Sequence, residues 1–130
     1  MRLPFRIAEA DGALTARSRA EGASWIGVSE PAAARRESAL KLHASAVFNP
    51  LADDVVAETC RATKWGADVV FDCAGIQASF DAALGAVRTQ GNVVEVAVWE
   101  KSPVINMGAL QTKEAVLTGQ PESWYILDSC

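Results

Sequence analysis

The chain has 130 residues, with 12 basic and 16 acidic side chains and a formal net charge of −4. Half of the residues (50%) are hydrophobic, which allows one domain with a single buried core and excludes a disordered chain. An acidic balance without clustered Lys and Arg argues against nucleic-acid binding. No stretch approaches the about 20 apolar residues of a membrane span, and no secretory signal is visible. We therefore expect a cytoplasmic protein that binds neither nucleic acid nor a membrane.

Cysteine and histidine usage gives no sign of a metal site. The three cysteines, Cys60, Cys73 and Cys130, are an odd number at wide spacing, which favours reduced thiols over a disulfide framework or a zinc site. His43 is the single histidine, and it follows a predicted helix without clustered cysteines or carboxylates beside it. Because catalytic zinc usually takes three protein ligands, we expect no metal site, and we identify no catalytic residue.

Short apolar runs alternate with helix-favouring stretches along the chain. In chain order the sequence predicts strands at residues 25–28, 46–48, 67–71, 93–98 and 115–118. It predicts helices at residues 32–42, 53–63, 77–87 and 108–111, with a turn near Gly91 after the third of them. Residues 5–8 form at best a weak first strand, because Pro4, Arg6 and Glu9 suit a buried strand poorly.

This alternation is typical of repeated strand–helix–strand units. The third helix, for example, places Phe80, Ala83, Leu84 and Val87 at i, i+3, i+4 and i+7, which makes one apolar face. The nearly continuous apolar character of the strands fits a parallel sheet that is covered on both faces. The sequence therefore predicts an α/β, doubly wound parallel sheet of about five strands, Rossmann-like and in a single domain, with a degraded first strand.

Ligands of doubly wound sheets bind in the crevice at the carboxyl ends of the strands, so the residues there form the candidate site. Glu30 follows a predicted strand and lies 18 residues after Gly12, close to the spacing at which an acid holds the ribose hydroxyls of a dinucleotide. A solvated loop acid is the alternative. Arg35 could reach the ribose or the adenine, whereas Arg36 is expected to be a solvated helix residue.

The glycine-rich phosphate loop of dinucleotide-binding folds is broken in this sequence. With Gly12 as the third glycine of G-x-G-x-x-G, the other two positions hold Ile7 and Glu9. A branched side chain at a tight turn and a negative charge beside the phosphates both disfavour pyrophosphate binding. The sequence also has no G-x-S-x-G motif that would indicate a serine nucleophile.

Beyond these features the chain resembles the zinc-dependent medium-chain alcohol dehydrogenases. The resemblance runs in order through residues 26–31, 35–36, 41–42, 47–50, 68–75, 80–84, 96–101 and 117–119. It is greatest to the butanediol and sorbitol dehydrogenase branch. It divides the chain into a poorly matched segment at 1–11, an NAD(P)-binding Rossmann-like domain at 12–119 and a divergent tail at 120–130. The family usually has glycine where His43 stands, at a helix C-terminus, so we expect a positive φ there.

The resemblance implies roles for the matched positions. Glu30 would bind the ribose hydroxyls and favour NAD over NADP, with Arg35 beside the adenosine. Residues 73–75 would border the cofactor, with Cys73 and Gly75 at the two ends of that segment. Main-chain contacts to the nicotinamide carboxamide would come from Val96, Ala97 and Val98.

The same resemblance implies a reaction and a missing part. Enzymes of this family oxidise secondary alcohols or polyols by hydride transfer to NAD, with a zinc ion polarising the alcohol oxygen. The domain that carries the zinc ligands would precede Met1. We therefore expect a truncated cofactor-binding domain that binds no zinc, binds NAD weakly or not at all, and is inactive alone.

Two alternatives to this hypothesis remain open. One is a non-catalytic module that forms a homodimer through an exposed edge strand near residues 104–106. The other is an unstable gene fragment, whose weak first strand would leave apolar surface uncovered. A receiver-like phospho-acceptor domain is disfavoured, because it needs an acidic pair after its first strand and we find none.

Overall fold

A computed structural model of the chain describes the backbone of residues 5–7, together with residues 15, 19–20 and 22–120. The described strands form one sheet of six, in the order β3-β2-β1-β4-β5-β6, and every neighbouring pair is parallel. The strands are β1 (Phe5–Ile7), β2 (Gly27–Ser29), β3 (Ala46–Phe48), β4 (Ala67–Asp72), β5 (Val87–Glu95) and β6 (Val116–Gly119). The prediction of a doubly wound parallel sheet is confirmed, with the weak first strand included near its centre.

Four helices connect these strands within residues 22–120. They are α1 (Ala33–Lys41), α2 (Val55–Thr63), α3 (Gln77–Ala86) and α4 (Met107–Lys113). Side chains fix where two of them begin, since Asp54 accepts from the Ala57 N–H at 3.1 Å and Asn106 accepts from the Ala109 N–H at 3.1 Å. Each predicted helix is present within a few residues of its expected ends.

The strand order reverses between β1 and β4, and this reversal positions the site. From β1 the chain passes outward to β2 and β3, then returns to place β4 on the other side of β1. The last residue of β1, Ile7, is paired with Ser29 on one side and with Asp72 on the other. The crevice at such a reversal is where ligands bind in doubly wound folds.

The core lies on both faces of the sheet, as the continuous apolar strands predict. A larger cluster joins β4 and β5 to α2 and α3, and a smaller one joins β2 to α1. The apolar face predicted for the third helix is confirmed for Phe80, Ala83 and Leu84, which are buried in the larger cluster. Val87 is buried in the same cluster, but it begins β5, because α3 ends at Ala86.

The prediction for β5 is wrong at both ends. The strand begins at Val87 and ends at Glu95, because neither β4 nor β6 continues beyond the partners of Glu95. The register jumps from Ala67↔Val87 to Val69↔Asn92, so residues 88–91 bulge out of the ladder. The turn expected near Gly91 is therefore an irregularity inside β5, and Gln90 there has a φ of 61°.

Two local predictions about α1 and the surface have different outcomes. His43, just after α1, has a φ of 71°, so the positive φ expected there is confirmed. Residues 104–106 are not a strand, because the N–H and the carbonyl of Val104 are hydrogen-bonded to the side-chain amide of Gln77.

The edges of the sheet within the described residues are β3 and β6. In this part of the chain no helix has the length and apolarity of a membrane span.

Candidate functional site

The carboxyl edge of the sheet opens onto a cavity of about 420 Å³ beside the ends of β2, β3 and β4. Its wall is mostly apolar, with carboxylate, hydroxyl and main-chain groups at intervals, which is the usual composition of a small-molecule site. The lining includes Glu30, Pro31, Leu51, Val55, Ala74 and Ile76.

Glu30 is a buried carboxylate on this cavity wall. Its backbone N–H donates to the Phe48 carbonyl at 3.0 Å and holds the residue beside β3, one position after β2 ends. The residue is 1% exposed, so the alternative of a solvated loop acid is wrong. Oε1 accepts from Nη1 of Arg35 at 3.2 Å, whereas Oε2 is buried without a hydrogen-bond partner among the described residues. A buried acceptor without a donor is costly, so Oε2 is suited to accept from a ligand hydroxyl.

The two arginines of α1 bind different atoms of the same turn. Arg35 pairs with the Glu30 carboxylate while about half of its own side chain (48%) stays exposed. Arg36 donates from Nη1 to the carbonyl oxygens of Glu30 at 2.9 Å and of Pro31 at 2.8 Å. The prediction that Arg36 is solvated is therefore wrong. Those carbonyls lie beyond the last residue of β2, and the guanidinium supplies their donors.

The turn after β4 lies against the segment that follows β5. Gly75 has a φ of 70°, and a Cβ added there would lie 2.9 Å from the Val98 carbonyl oxygen and 3.0 Å from Cβ of Ala97. Only glycine meets both conditions without a shift of the backbone. Cys73, which is half-buried and forms no disulfide, lies in the same turn. The structure thus brings residues 73–75 and 96–98 together, with a crevice of about 530 Å³ between them.

Residues 96–98 extend the sheet by one hydrogen bond and then leave it. The N–H of Val96 donates to the Asp72 carbonyl at 3.1 Å, so this donor is used within the protein. Val96 is buried, Ala97 is half-buried and Val98 is 74% exposed. The expectation that these residues end the longest strand is wrong, because that strand ends at Glu95.

The phosphate-loop positions are described only in part. Ile7, where the sequence places the first turn residue of the fingerprint, is still in β1 and paired with strands on both sides. Ile7 therefore lies in the weak first strand and not in the tight turn that the fingerprint would need at this position. Glu9 and Gly12 lie outside the described residues, and so does Cys130.

Sequence reasoning missed two acids at this edge of the sheet. Asp72 ends β4 and Glu95 ends β5, and the two are direct partners in the parallel register. Asp72 is fully buried, and its Oδ1 accepts from the Ala74 N–H at 3.1 Å and from the Ser79 hydroxyl at 2.9 Å. Oε1 of Glu95 accepts from Nε1 of Trp99 at 3.1 Å. A charged residue within the valine-rich run at 93–98 was the signal that could have identified them.

Burial, the hydrogen bond to Asp72 and the negative charge of Asp72 together raise the pKa of Glu95 from its ordinary value of 4.5 to about 8, and burial is the largest cause. The hydrogen bond from Trp99 acts in the opposite direction and lowers the pKa. Glu95 therefore keeps its proton at neutral pH. At the far end of the same strand, burial lowers the pKa of Lys113, whose ammonium donates to the carbonyls of Gly85 and Val87.

The described residues offer no donor set for a metal ion. Among them, no three His, Cys, Asp or Glu side chains lie close enough together to hold one. The zinc ion that the resemblance implies is therefore not assigned to any of these residues.

The chain matches a described protein family over most of its length. The zinc-binding dehydrogenase family matches residues 13–122. The chain is 33% identical to the (R,R)-butanediol dehydrogenase of Bacillus subtilis over 101 residues, which are 78% of this chain and 29% of that protein. It is 36% identical to the (R,R)-butanediol dehydrogenase of Saccharomyces cerevisiae over 103 residues, which are 75% of this chain and 27% of that protein. The chain thus spans less than a third of the length of these two relatives.

Solved structures agree with the sequence relatives. The 2R,3R-butanediol dehydrogenase of Bacillus subtilis superimposes with a TM-score of 0.84 at 26% identity, covering 98% of this chain and 40% of that chain. A zinc-binding dehydrogenase of Sinorhizobium meliloti, solved bound to NADP, superimposes with a TM-score of 0.79 at 24% identity, covering 89% and 36%. The second likeness concerns the fold alone. On the family match and the fold together, the chain belongs to the zinc-binding dehydrogenase family.

Proposed function

We propose that this chain binds NAD(H) at the carboxyl edge of its sheet, with Glu30 holding the hydroxyls of the adenosine ribose. The observation that carries the proposal is the unpartnered Oε2 of Glu30, buried on the wall of the cavity of about 420 Å³. A ribose diol has two hydroxyl donors, and one of them would satisfy this oxygen. The apolar remainder of the wall, including Pro31 and Ala74, suits a flat base.

The same carboxylate favours NAD over NADP. A 2′-phosphate would carry its negative charge to the position that the diol occupies, next to a buried carboxylate. Arg35 partly neutralises Glu30, but Oε2 has no cation of its own among the described residues. The preference for NAD over NADP therefore depends on Glu30, and the positive charge of Arg35 reduces this preference.

The rest of the cofactor would follow the edge of the sheet toward β5. Cys73 and Gly75 would border it, and the main chain of residues 96–98 would contact the nicotinamide carboxamide. Support comes from the close approach of Gly75 to Val98, which holds these two segments together. Glycine is missing at two of the three fingerprint positions, Ile7 and Glu9, and we therefore propose weak binding, with Gly12 as the remaining loop glycine.

In the reaction of the family, a secondary alcohol or polyol passes a hydride to NAD, and we propose that this chain supplies the cofactor-binding part of that reaction. Its own residues bind and orient the cofactor and exclude water from one side of it. Since no metal-binding group exists among the described residues, we propose that the chain alone does not oxidise an alcohol.

The test is a titration of the full chain with NADH, followed by energy transfer from its tryptophans to the nicotinamide. Glu30→Ala is the test variant and Glu37→Ala is the matched control, since the Glu37 side chain is 72% exposed on α1. We expect saturable binding that Glu30→Ala weakens and Glu37→Ala leaves unchanged. Absence of binding up to about 1 mM, which corresponds to about −4 kcal/mol, would contradict the proposal.

A second candidate function is homodimerisation through the edge strand β6. Along this strand Val116 is 53% exposed and Leu117 half-buried, and β5 is its partner on one side within the described residues. An open edge with an apolar side chain is suited to pair with a second copy. Sedimentation equilibrium tests it: a dimer that Val116→Lys converts to a monomer supports the edge, and a monomeric wild type contradicts it.

A further inference from the structure

Two acids face each other at the end of the sheet, and neither belongs to the proposed cofactor contacts. Asp72 and Glu95 are register partners, the last residues of β4 and β5. Each has one oxygen that accepts from a protein donor and one buried oxygen, Oδ2 of Asp72 and Oε2 of Glu95, that no donor of the described residues reaches. Two unsatisfied acceptors of like charge side by side are unstable as a pair of anions.

A single proton between the two acids would satisfy both buried oxygens and remove one of the two negative charges. A proton on Oε2 of Glu95 makes that oxygen a donor, and Oδ2 of Asp72 is the buried acceptor beside it. The pair then carries one negative charge instead of two, and every buried oxygen in it has a partner. Burial and the neighbouring acid act in this direction, since both raise the pKa of Glu95.

The pair also connects the two segments that border the crevice of about 530 Å³. Asp72 holds the turn after β4 through the N–H of Ala74, and Glu95 holds the segment after β5 through the indole of Trp99. The ring of Trp99 lies edge-on to Phe80 with 6.1 Å between centroids, which anchors that segment to α3. The two acids are therefore placed to act on the spacing between the segments.

We propose that Asp72 and Glu95 share a single proton, and that this shared proton is a clasp that positions the turn after β4 against the segment after β5. Loss of the proton leaves two buried carboxylates facing each other, and their repulsion separates the two segments. Both acids are positioning residues, because neither is placed against the cofactor. The effect on NADH depends on the proposed function, whereas the shared proton does not.

Among the described residues, no ion pair joins a cation to Glu95. Gly119 of β6 is its register partner on the side away from β4. The charged and titratable groups on the elements around β5 include Asp72 and Cys73 from β4 and its turn, Asp81 from α3, which accepts from Gln77, the exposed Glu100 and Lys101 after β5, and Lys113 from α4, bound to carbonyls at the other end of β5. Of these, Asp72 acts on the protonation of Glu95, and it favours the protonated form.

The sign of the pH dependence follows from the raised pKa. Glu95 has an ordinary pKa of 4.5 in the unfolded chain and about 8 in the folded one. Its contribution to stability is therefore complete below about pH 4.5 and declines as the pH rises to about 8, because the folded state alone holds the proton in that window. An acid that keeps its ordinary pKa in the folded chain would give no such decline.

Glu95→Gln is the variant that tests the clasp. The glutamine amide can donate to Asp72 while its carbonyl accepts from Trp99, so both hydrogen bonds persist and the proton cannot be lost. We expect the urea midpoint of the full chain to fall between about pH 5 and about pH 8 in the wild type, and to fall less in Glu95→Gln. Equal pH profiles for the two proteins would overturn the proposal.

Infrared spectroscopy of the wild type gives a second result that needs no variant. A protonated carboxylic acid absorbs apart from carboxylates, so the clasp predicts one carboxylic C=O band at neutral pH that disappears above about pH 8. Asp72→Asn removes the neighbouring charge, so the band is expected to disappear at a lower pH than in the wild type. Absence of the band at neutral pH would overturn the proposal even if both variants fail to fold.

NADH titration at two pH values tests the consequence for binding. We expect wild-type affinity to fall by up to about tenfold between about pH 7 and about pH 9, and Glu95→Gln to keep its affinity. A wild-type affinity that is unchanged by pH, in a chain that shows the carboxylic band, would overturn the positioning role. A chain that binds no NADH at either pH but shows the band would contradict the proposed function and leave the shared proton supported.

Discussion

The guanidinium of Arg35 lies 3.2 Å from one oxygen of the Glu30 carboxylate, while the other oxygen is buried and has no hydrogen-bond partner in the described part of the chain. One side of Glu30 is thus neutralised by a half-exposed arginine, and the other side faces the cavity as an acceptor. The pair places a negative charge and a positive charge at the same point of the site. Substituting one of the two residues leaves the charge of the other without this counter-charge.

Glu30→Ala is therefore expected to invert the cofactor preference as well as to weaken NADH binding. Without the carboxylate, the positive charge of Arg35 would no longer be offset by Glu30 and would attract a 2′-phosphate, so NADPH should bind more tightly than NADH, by about tenfold or about 1.4 kcal/mol. Isothermal titration with both dinucleotides measures the ratio. The double variant Glu30→Ala/Arg35→Ala is the control and should lose the preference for NADPH. An unchanged ratio in Glu30→Ala would contradict the role of Glu30.

Gly75→Ala is expected to destabilise the chain by about 1–3 kcal/mol, since it strains a positive φ and drives a methyl group against the Val98 carbonyl. Gly119→Ala in β6 is the matched control, because nothing lies within 4 Å of a Cβ there, and its effect should stay within about 0.5 kcal/mol. Urea unfolding of the two variants measures the difference. Equal stabilities would mean that the two segments are not in the close contact described.

Periodicity predicted the parts of the fold in which local pattern and packing agree. The face of α3 that holds Phe80, Ala83 and Leu84 could be identified from spacing alone, because apolar residues at helical intervals lie on one side of a helix and are buried together. The positive φ of His43 followed from the resemblance, since a helix C-terminus that takes glycine in relatives keeps its backbone geometry. Glu30 was identified by its distance in the sequence from Gly12, whereas its burial could not be predicted from the sequence.

The features that sequence reasoning missed depend on how separate strands and helices pack against each other. The end of β5 at Glu95 is set by where β4 and β6 end, which the apolar run at 93–98 does not show. Arg36 is 6 residues from Glu30 and binds its carbonyl, a contact that depends on the angle between β2 and α1. Asp72 and Glu95 are 23 residues apart, and the parallel register alone makes them neighbours.

Asp54→Ala is expected to cost about 1 kcal/mol of stability, because it removes the side chain that accepts from the Ala57 N–H at the start of α2. Asp54→Asn keeps an acceptor oxygen and should recover most of the loss. Since α2 forms part of the cavity wall, Asp54→Ala should also weaken NADH binding more than Asp54→Asn does. Thermal unfolding combined with NADH titration measures both, and a stable Asp54→Ala chain would show that the cap contributes nothing.

Trp99→Phe separates the two contacts of this side chain. A phenyl ring keeps the edge-on contact with Phe80 but has no N–H for Glu95. That hydrogen bond lowers the pKa of Glu95, so its removal should raise the pKa above about 8. The pH window in which stability declines begins at about 4.5 and ends at the folded pKa, and the variant should move its upper end to higher pH.

Urea unfolding across the alkaline range measures this end point. Trp65→Phe, at an exposed ring beneath Lys64, is the control and should leave it in place. A shift to lower pH in Trp99→Phe would mean that the indole N–H stabilises the protonated acid more than the carboxylate, and would contradict the stated effect of this hydrogen bond on the pKa.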